Sequence, residues 1–246
     1  TLRLAITGKA GAMAVAHTQG SLKDLNRNLV HFLENHDEQR IASPFFAGSA
    51  AKGLPGMTVS ALIDQGPVLI YFGQEVGEPG NGAEGFGGND GRTTMFDYWG
   101  VPHHQKWMNG GLFDGGQLGD EEKSLRASYA KVLTLAGQQK AIAEGDYIDL
   151  TAWNVGGKTT SDRIVSFARS AKGERLIVVA GFNTLEEPVQ IKLTPELAKT
   201  WGVTANHPVK DLLGDTTKVF LTGDQGIRFS LPAFGSRVFR IEGLPD

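Results

Sequence analysis

Between residues 32 and 40 the chain reads FLENHDEQR. An apolar run ends, and Asn35, His36 and Asp37 follow with no gap. An amide and an imidazole can donate hydrogen bonds, and a carboxylate accepts them from hydroxyl groups. In parallel α/β folds, the place where a buried strand gives way to a loop is the ligand-facing end. The trio therefore suits a polyhydroxylated ligand. The same residues could instead cap the strand end by bonding to nearby backbone. From the residues alone both readings stand open.

Other clusters carry less chemistry. His31 and His36 lie five positions apart, an odd step, which puts them on opposite faces of a strand and argues against a shared metal. His103 and His104 are adjacent in a loop. ITGKAGA (6–12) has Gly-Lys but lacks the earlier glycine and the following Ser or Thr of a phosphate loop. GFGGNDG (85–91) has no strand-to-helix context for a dinucleotide and reads as a flexible loop. No metal site and no cofactor are expected. Glu75, Glu78 and Glu84 are expected to brace the loop they sit in. Tyr98, Trp99 and Trp107 could stack on sugar rings, but loop packing is the simpler expectation. Trp153 and Trp201 are expected in a β-rich core or at its junction.

The elements that must position these residues change character near residue 145. Before it, residues 1–16 and 49–64 read as helices, the second weakened by Gly53, Pro55 and Gly56. NLVHFL (28–33) and GPVLIYFG (66–73) read as buried parallel strands, apolar almost throughout. A glycine-rich connection leads to a helix capped by Asp120, with Leu125, Tyr129, Val132, Leu133 and Ala136 on one face and Gly137 as its stop. After 145, the runs 162–170, 174–182, 188–193, 218–222, 226–231 and 236–241 read as strands with no helices between them. AKGE (171–174) reads as a hairpin turn. Such a series predicts an antiparallel sandwich.

Taken in order, these segments resemble the α-amylase family, glycoside hydrolase family 13. FLENHDEQR is similar to the end of that family's seventh barrel strand, and GPVLIYFGQE to its eighth. RTTMFDYW (92–99) resembles the following loop in altered form. LRASYAKVLTLAGQQKAIAEGDY resembles the eighth helix, although its usual arginines are replaced around Gln138 and Gln139. RLIVVAGFNTLEEPVQIKL and FSLPAFGSRVFRI resemble the C-terminal β-domain. The resemblance implies an α/β plus all-β architecture. Residues 1–145 would be the C-terminal portion of a (β/α)8 TIM barrel, and 146–246 an antiparallel β-sandwich. It also implies roles: Asp37 as the transition-state stabiliser at the cleavage subsite, His36 and Asn35 as substrate-binding residues, and an α-glucan or maltooligosaccharide as substrate.

Retaining glycosidases also need a nucleophile and a general acid/base, two carboxylates ~5–5.5 Å apart. In the family these lie upstream of Asn-His-Asp, the nucleophile in a G-x-R-x-D segment. No such segment occurs here. The expectation is a C-terminal part that is inactive alone. Its strands would need either the missing N-terminal barrel portion or self-association to cover them. The alternative is a non-catalytic carbohydrate-binding or interaction module.

Composition narrows the classes. A net charge of −3 argues against a nucleic-acid binder, which would usually show a basic face. No apolar run is long enough to span a membrane. The absence of cysteine excludes disulfides and thiolate metal sites. The chain opens on Thr1 without a signal-peptide pattern, so an upstream portion is expected. The compartment stays open: periplasmic, secreted and cytoplasmic settings all fit.

Overall fold

The computed structural model describes residues 1–82, 88–96, 100–204, 206–214, 219–223 and 226–244, without the side chains of residues 23 and 24. Expectations about Glu84, Tyr98 and Trp99, and about parts of 85–91, 92–99 and 218–222, fall outside them.

The N-terminal helix predicted over 1–16 is two helices, α1 (Leu2–Ile6) and α2 (Ala12–Leu22). The break is built in. Gly8 turns through φ +77°, and a Cβ on Gly11 would meet the Asp162 carboxylate at 1.9 Å. The backbone there lies against the β-rich half, and the Ala12 N–H donates to the Asp162 carbonyl at 2.7 Å. α3 (Leu54–Leu62) forms as expected. Pro55 sits in its first turn, where a missing N–H is harmless. Gly56 lets the helix approach Ile6 and Leu33 closely.

The two expected strands are reduced to extended segments joined by one parallel bridge, His31 to Val68. The His31 N–H donates to the Pro67 carbonyl and the Leu69 N–H to the His31 carbonyl, both at 2.9 Å. The physical reason is coverage. Parallel strands are stable when buried on both faces, and here only one is. Leu33, Val68 and Ile70 pack on the helices. On the other side Val30 (52% exposed), Phe32 (43%) and Leu69 (40%) face outward.

α4 (Pro102–Met108) was not anticipated, and it leads to α5 (Asp120–Gln138). α5 starts one residue after its cap, Gly119, whose N–H is held by Glu122 Oε2 at 2.6 Å. Leu125, Tyr129 and Val132 are buried as predicted. Leu135 replaces Leu133, which is exposed. Gly137 does not stop the helix; Gln139 turns it into α6 (Lys140–Ala143).

The β-rich half is an antiparallel sandwich. Its strands are β1 (Asp146–Asp149), β2 (Ile164–Ala171), β3 (Glu174–Gly181), β4 (Glu187–Ile191), β5 (His207–Asp211), β6 (Val219–Leu221), β7 (Ile227–Leu231) and β8 (Ser236–Ile241), with short helices α7 (Thr151–Gly156) and α8 (Pro195–Thr200) between them. Six strands form one sheet in the order β1-β2-β3-β8-β5-β6, and β4 pairs with β7 in a second. The β2–β3 hairpin turns at Lys172-Gly173, with Gly173 at φ +78°.

The central strands of the large sheet, β2 and β3 above all, are buried on both faces, and strand alternation sorts their side chains cleanly. Val165, Phe167, Leu176, Val178, Ala180 and Val238 point to the helices of the first half. Ile164, Ala168, Ile177, Val179 and Phe239 point to the second sheet and α8. Two arginines from the β2 segment tie the halves together. Arg169, fully buried, donates to the carbonyls of Ile63 (2.9 Å), Ala141 (3.2 Å), Ile142 (2.7 Å) and Gly145 (2.9 Å). Arg163 donates to Ala5 (2.6 Å) and Ala10 (2.8 Å). Each supplies donors to backbone carbonyls at helix ends and in the turns beside them.

Candidate functional site

His36 and Asp37 stand at the crest of a loop closed from below. At its base Glu34 and Arg40, both buried, form an ion pair at 2.9 Å. The second Glu34 oxygen accepts the Ile41 N–H at 2.5 Å. Arg40 also donates to Thr93 Oγ1 through Nε (2.9 Å) and Nη2 (2.6 Å). Its guanidinium lies over the Tyr71 ring at 4.2 Å, and the Tyr71 hydroxyl donates to the Thr93 carbonyl at 2.9 Å. Burial pushes the Glu34 carboxyl up from its ordinary range, and Arg40 pulls it back. The same base therefore joins the loop after His31, the segment after Val68 and the chain near Thr93.

Higher in the loop, Asn35 Oδ1 accepts the N–H groups of Asp37 and Glu38, each at 2.9 Å. This is an Asx turn, the backbone-capping alternative raised by the sequence. It commits the amide oxygen of Asn35 to the loop. Glu38 is held by Arg3 of α1 at 2.8 Å. Between these anchors His36 Nε2 lies 3.4 Å from Asp37 Oδ2, with both side chains exposed and Asp37 72% so. The Asp37 charge is felt by Tyr71 and by Arg92, whose guanidinium is held charged first by Asp90 at 2.5 Å. The three residues singled out by the sequence are thus together. One builds the turn, and two are presented to solvent.

The carboxylates beyond the second extended segment separate in role. Glu78 is buried and accepts the N–H groups of Gly80 (3.1 Å) and His103 (2.9 Å), so it braces the loop as expected. His103 Nδ1 lies 3.0 Å from Glu122, which ties α4 to the start of α5. His104 packs edge-on to Phe72 and stacked on Trp107, at 5.5 and 5.7 Å between ring centres, and Trp107 in turn meets Phe113 at 5.7 Å. Burial lowers the His104 pKa from its ordinary value, which keeps it neutral at pH 7. Trp107 thus packs the loop, as expected. Phe72 and His104 join this aromatic row with no signal in spacing or pattern that would have marked them.

Below the site, His31 Nε2 lies 3.0 and 3.1 Å from the two oxygens of Asp64. Asp64 also accepts the Gly66 N–H (2.7 Å) and Gln19 Nε2 (3.3 Å). His31 therefore anchors the strand foot. Trp201 is buried in the sandwich core, whereas Trp153 is exposed, contrary to expectation.

No family model matches the chain, and no curated protein matches it. Solved structures do. The α-amylase of Geobacillus thermoleovorans complexed with acarbose is 16% identical, with a TM-score of 0.60 over 94% of this chain and 42% of its own length. AmyP in complex with maltose is 18% identical, with a TM-score of 0.64 over 96% of this chain and 46% of its own. The γ-CGTase of alkalophilic Bacillus clarkii is 16% identical, with a TM-score of 0.61 over 99% of this chain and 30% of its own. The chain thus spans less than half the length of these neighbours. Across its whole described length, its fold is that of a part of α-amylases and related family 13 glycoside hydrolases, including their C-terminal sheet-rich domain.

Proposed function

We propose that this chain is the C-terminal part of a retaining α-glucan-active glycoside hydrolase. Residues 1–145 complete a (β/α)8 catalytic barrel, and 146–246 form its C-terminal sandwich. Asp37 serves as transition-state stabiliser, gripping sugar hydroxyls as the ring distorts. His36 contacts the same sugar. Asn35 binds substrate through its amide nitrogen while its oxygen holds the turn. The single observation that carries this reading is the closed loop 34–40. It lifts an exposed His-Asp pair at the end of an extended segment, within a fold shared with α-glucan enzymes.

The nucleophile and the general acid/base belong to the N-terminal barrel portion, which is the natural cover for Val30, Phe32 and Leu69. The pure chain therefore releases no reducing sugar from soluble starch, and measurable turnover would overturn the reading. In a chain extended to include a G-x-R-x-D segment, Asp37→Asn lowers turnover by ~10²–10³-fold or more, because a charge is lost where positive charge develops. A near-normal rate would show Asp37 to be misassigned.

A second reading has its own observation. An exposed tryptophan beside a cleft in the sandwich suits a carbohydrate-binding module with no catalytic part. Sugar affinity that is untouched by changes at His36 and Asp37, in a parent chain without turnover, would favour it.

A further inference from the structure

The sandwich carries a cleft that the proposed catalytic role does not use. It has a volume of about 280 Å³ and lies between α7, the start of α8 and the ends of β4, β6 and β7. Trp153 stands at its edge, 46% exposed. Among the described tryptophans it is the most exposed; Trp107 is half-buried in the aromatic row and Trp201 is buried. Leu193, Pro195 and Val203 line it, together with Lys192 and Thr222.

What makes this more than an apolar dent is that its walls are locked. Asn154, the neighbour of Trp153, is fully buried. Its Nδ2 donates to the carbonyls of Leu150 (2.9 Å) and Lys192 (3.0 Å), and its Oδ1 accepts from the Lys192 N–H (2.7 Å) and Thr159 Oγ1 (2.8 Å). One amide thus pins the helix that carries Trp153 to the strand end that carries Lys192. On the opposite wall Thr222 and Gly226 exchange backbone bonds of 3.2 and 2.9 Å. Gly226 turns there at φ +73°, where a Cβ would strike the Ile191 carbonyl at 2.1 Å. α8 is fixed by Thr194, whose Oγ1 accepts the Leu197 N–H at 3.1 Å.

We propose that this cleft is a second α-glucan-binding site, in which the indole of Trp153 stacks on the apolar face of a glucose ring while Lys192 and Thr222 meet its hydroxyls. The inference rests on the α-glucan reading of the chain. A rigid aromatic face beside polar groups is what a pyranose, apolar on its faces and hydroxylated at its edge, requires. Ligand sites usually measure ~300–1,000 Å³, so this one, at the small end, holds a ring or two of a longer chain. It lies on the sandwich, apart from His36 and Asp37, so it would tether a polymer without taking part in cleavage. Binding two points of one strand raises the local concentration of substrate at the first.

The test is titration of the 246-residue chain with maltoheptaose, followed by tryptophan fluorescence and calorimetry. Wild type is expected to bind and to change its emission. Trp153→Ala is expected to lose the emission change and to weaken binding by at least about tenfold, and Trp153→Phe to recover part of it. His36→Ala/Asp37→Asn is expected to keep the Trp153 signal. Equal binding by wild type and Trp153→Ala would overturn the inference, as would no binding to wild type at ~10 mM. Equal binding of cellohexaose would overturn its α-glucan specificity. Loss of binding only in the His36/Asp37 variant would refute this cleft while sparing the proposed catalytic role.

Discussion

Glu34 and Arg40 meet at 2.9 Å beneath the loop between them, both buried, and the residues they enclose include His36 and Asp37. Removing one partner leaves a buried charge without its counterpart, which costs ~3–5 kcal/mol. Arg40→Met is expected to lose that much in urea unfolding. Arg40→Met combined with Glu34→Leu is expected to recover most of it, because an apolar pair of similar volume carries no desolvation penalty.

Arg169 gives a second stability test. Its four carbonyl acceptors come from the residue after α3, from α6 and from the turn before β1. A buried acceptor left without a donor costs ~1–3 kcal/mol, so Arg169→Met is expected to be among the most destabilising single changes. Arg169→Lys is expected to rescue little, since one ammonium cannot reach acceptors spread around a planar fork. Thermal unfolding of the two variants against wild type checks this.

Asp37 behaves in the opposite way. It is exposed and makes no buried bond, so Asp37→Asn is expected to change stability by no more than ~0.5 kcal/mol. A larger change in chemical unfolding would mean that the crest of the loop supports the fold rather than a ligand.

Acid sensitivity is expected to run through Asp64. Burial pushes its carboxyl up, but hydrogen bonds from His31, the Gly66 N–H and Gln19 outweigh it and hold the pKa below the usual value. A carboxyl depressed on folding adds stability above its unfolded pKa, ~3.9, and that stability is lost as pH falls through the folded value. Asp64→Asn is expected to be less stable than wild type at pH 7 and to close the gap below about pH 4. Unfolding midpoints across that range check the sign.

The sandwich was legible because its strands are short apolar and β-branched runs set off by Gly, Asn, Asp and Pro, and β2 and β3, with a core on each face, read as near-continuous apolar runs. The short strands β1 and β5 and the helices α7 and α8 were missed, since four to six residues carry too little pattern. The break in the first helix was hidden because it is a tertiary contact, Gly11 against Asp162, that local propensity cannot see. The site trio was legible as a cluster of polar residues after an apolar run. Its internal division of labour was not, because an Asx turn depends on which atom faces which. Trp153 was misplaced for a similar reason: an indole reads as core unless its neighbours are known.

The two-faced burial of the large sheet's central strands has a consequence for anyone cutting the chain at residue 145. Val165, Phe167, Val178 and Val238 would lose their cover together, and Arg169 its acceptors. The shared wall makes the two halves a single calorimetric unit, expected to melt in one transition. The residues that look like a self-sufficient module in one dimension are, energetically, the middle layer of a three-layer object.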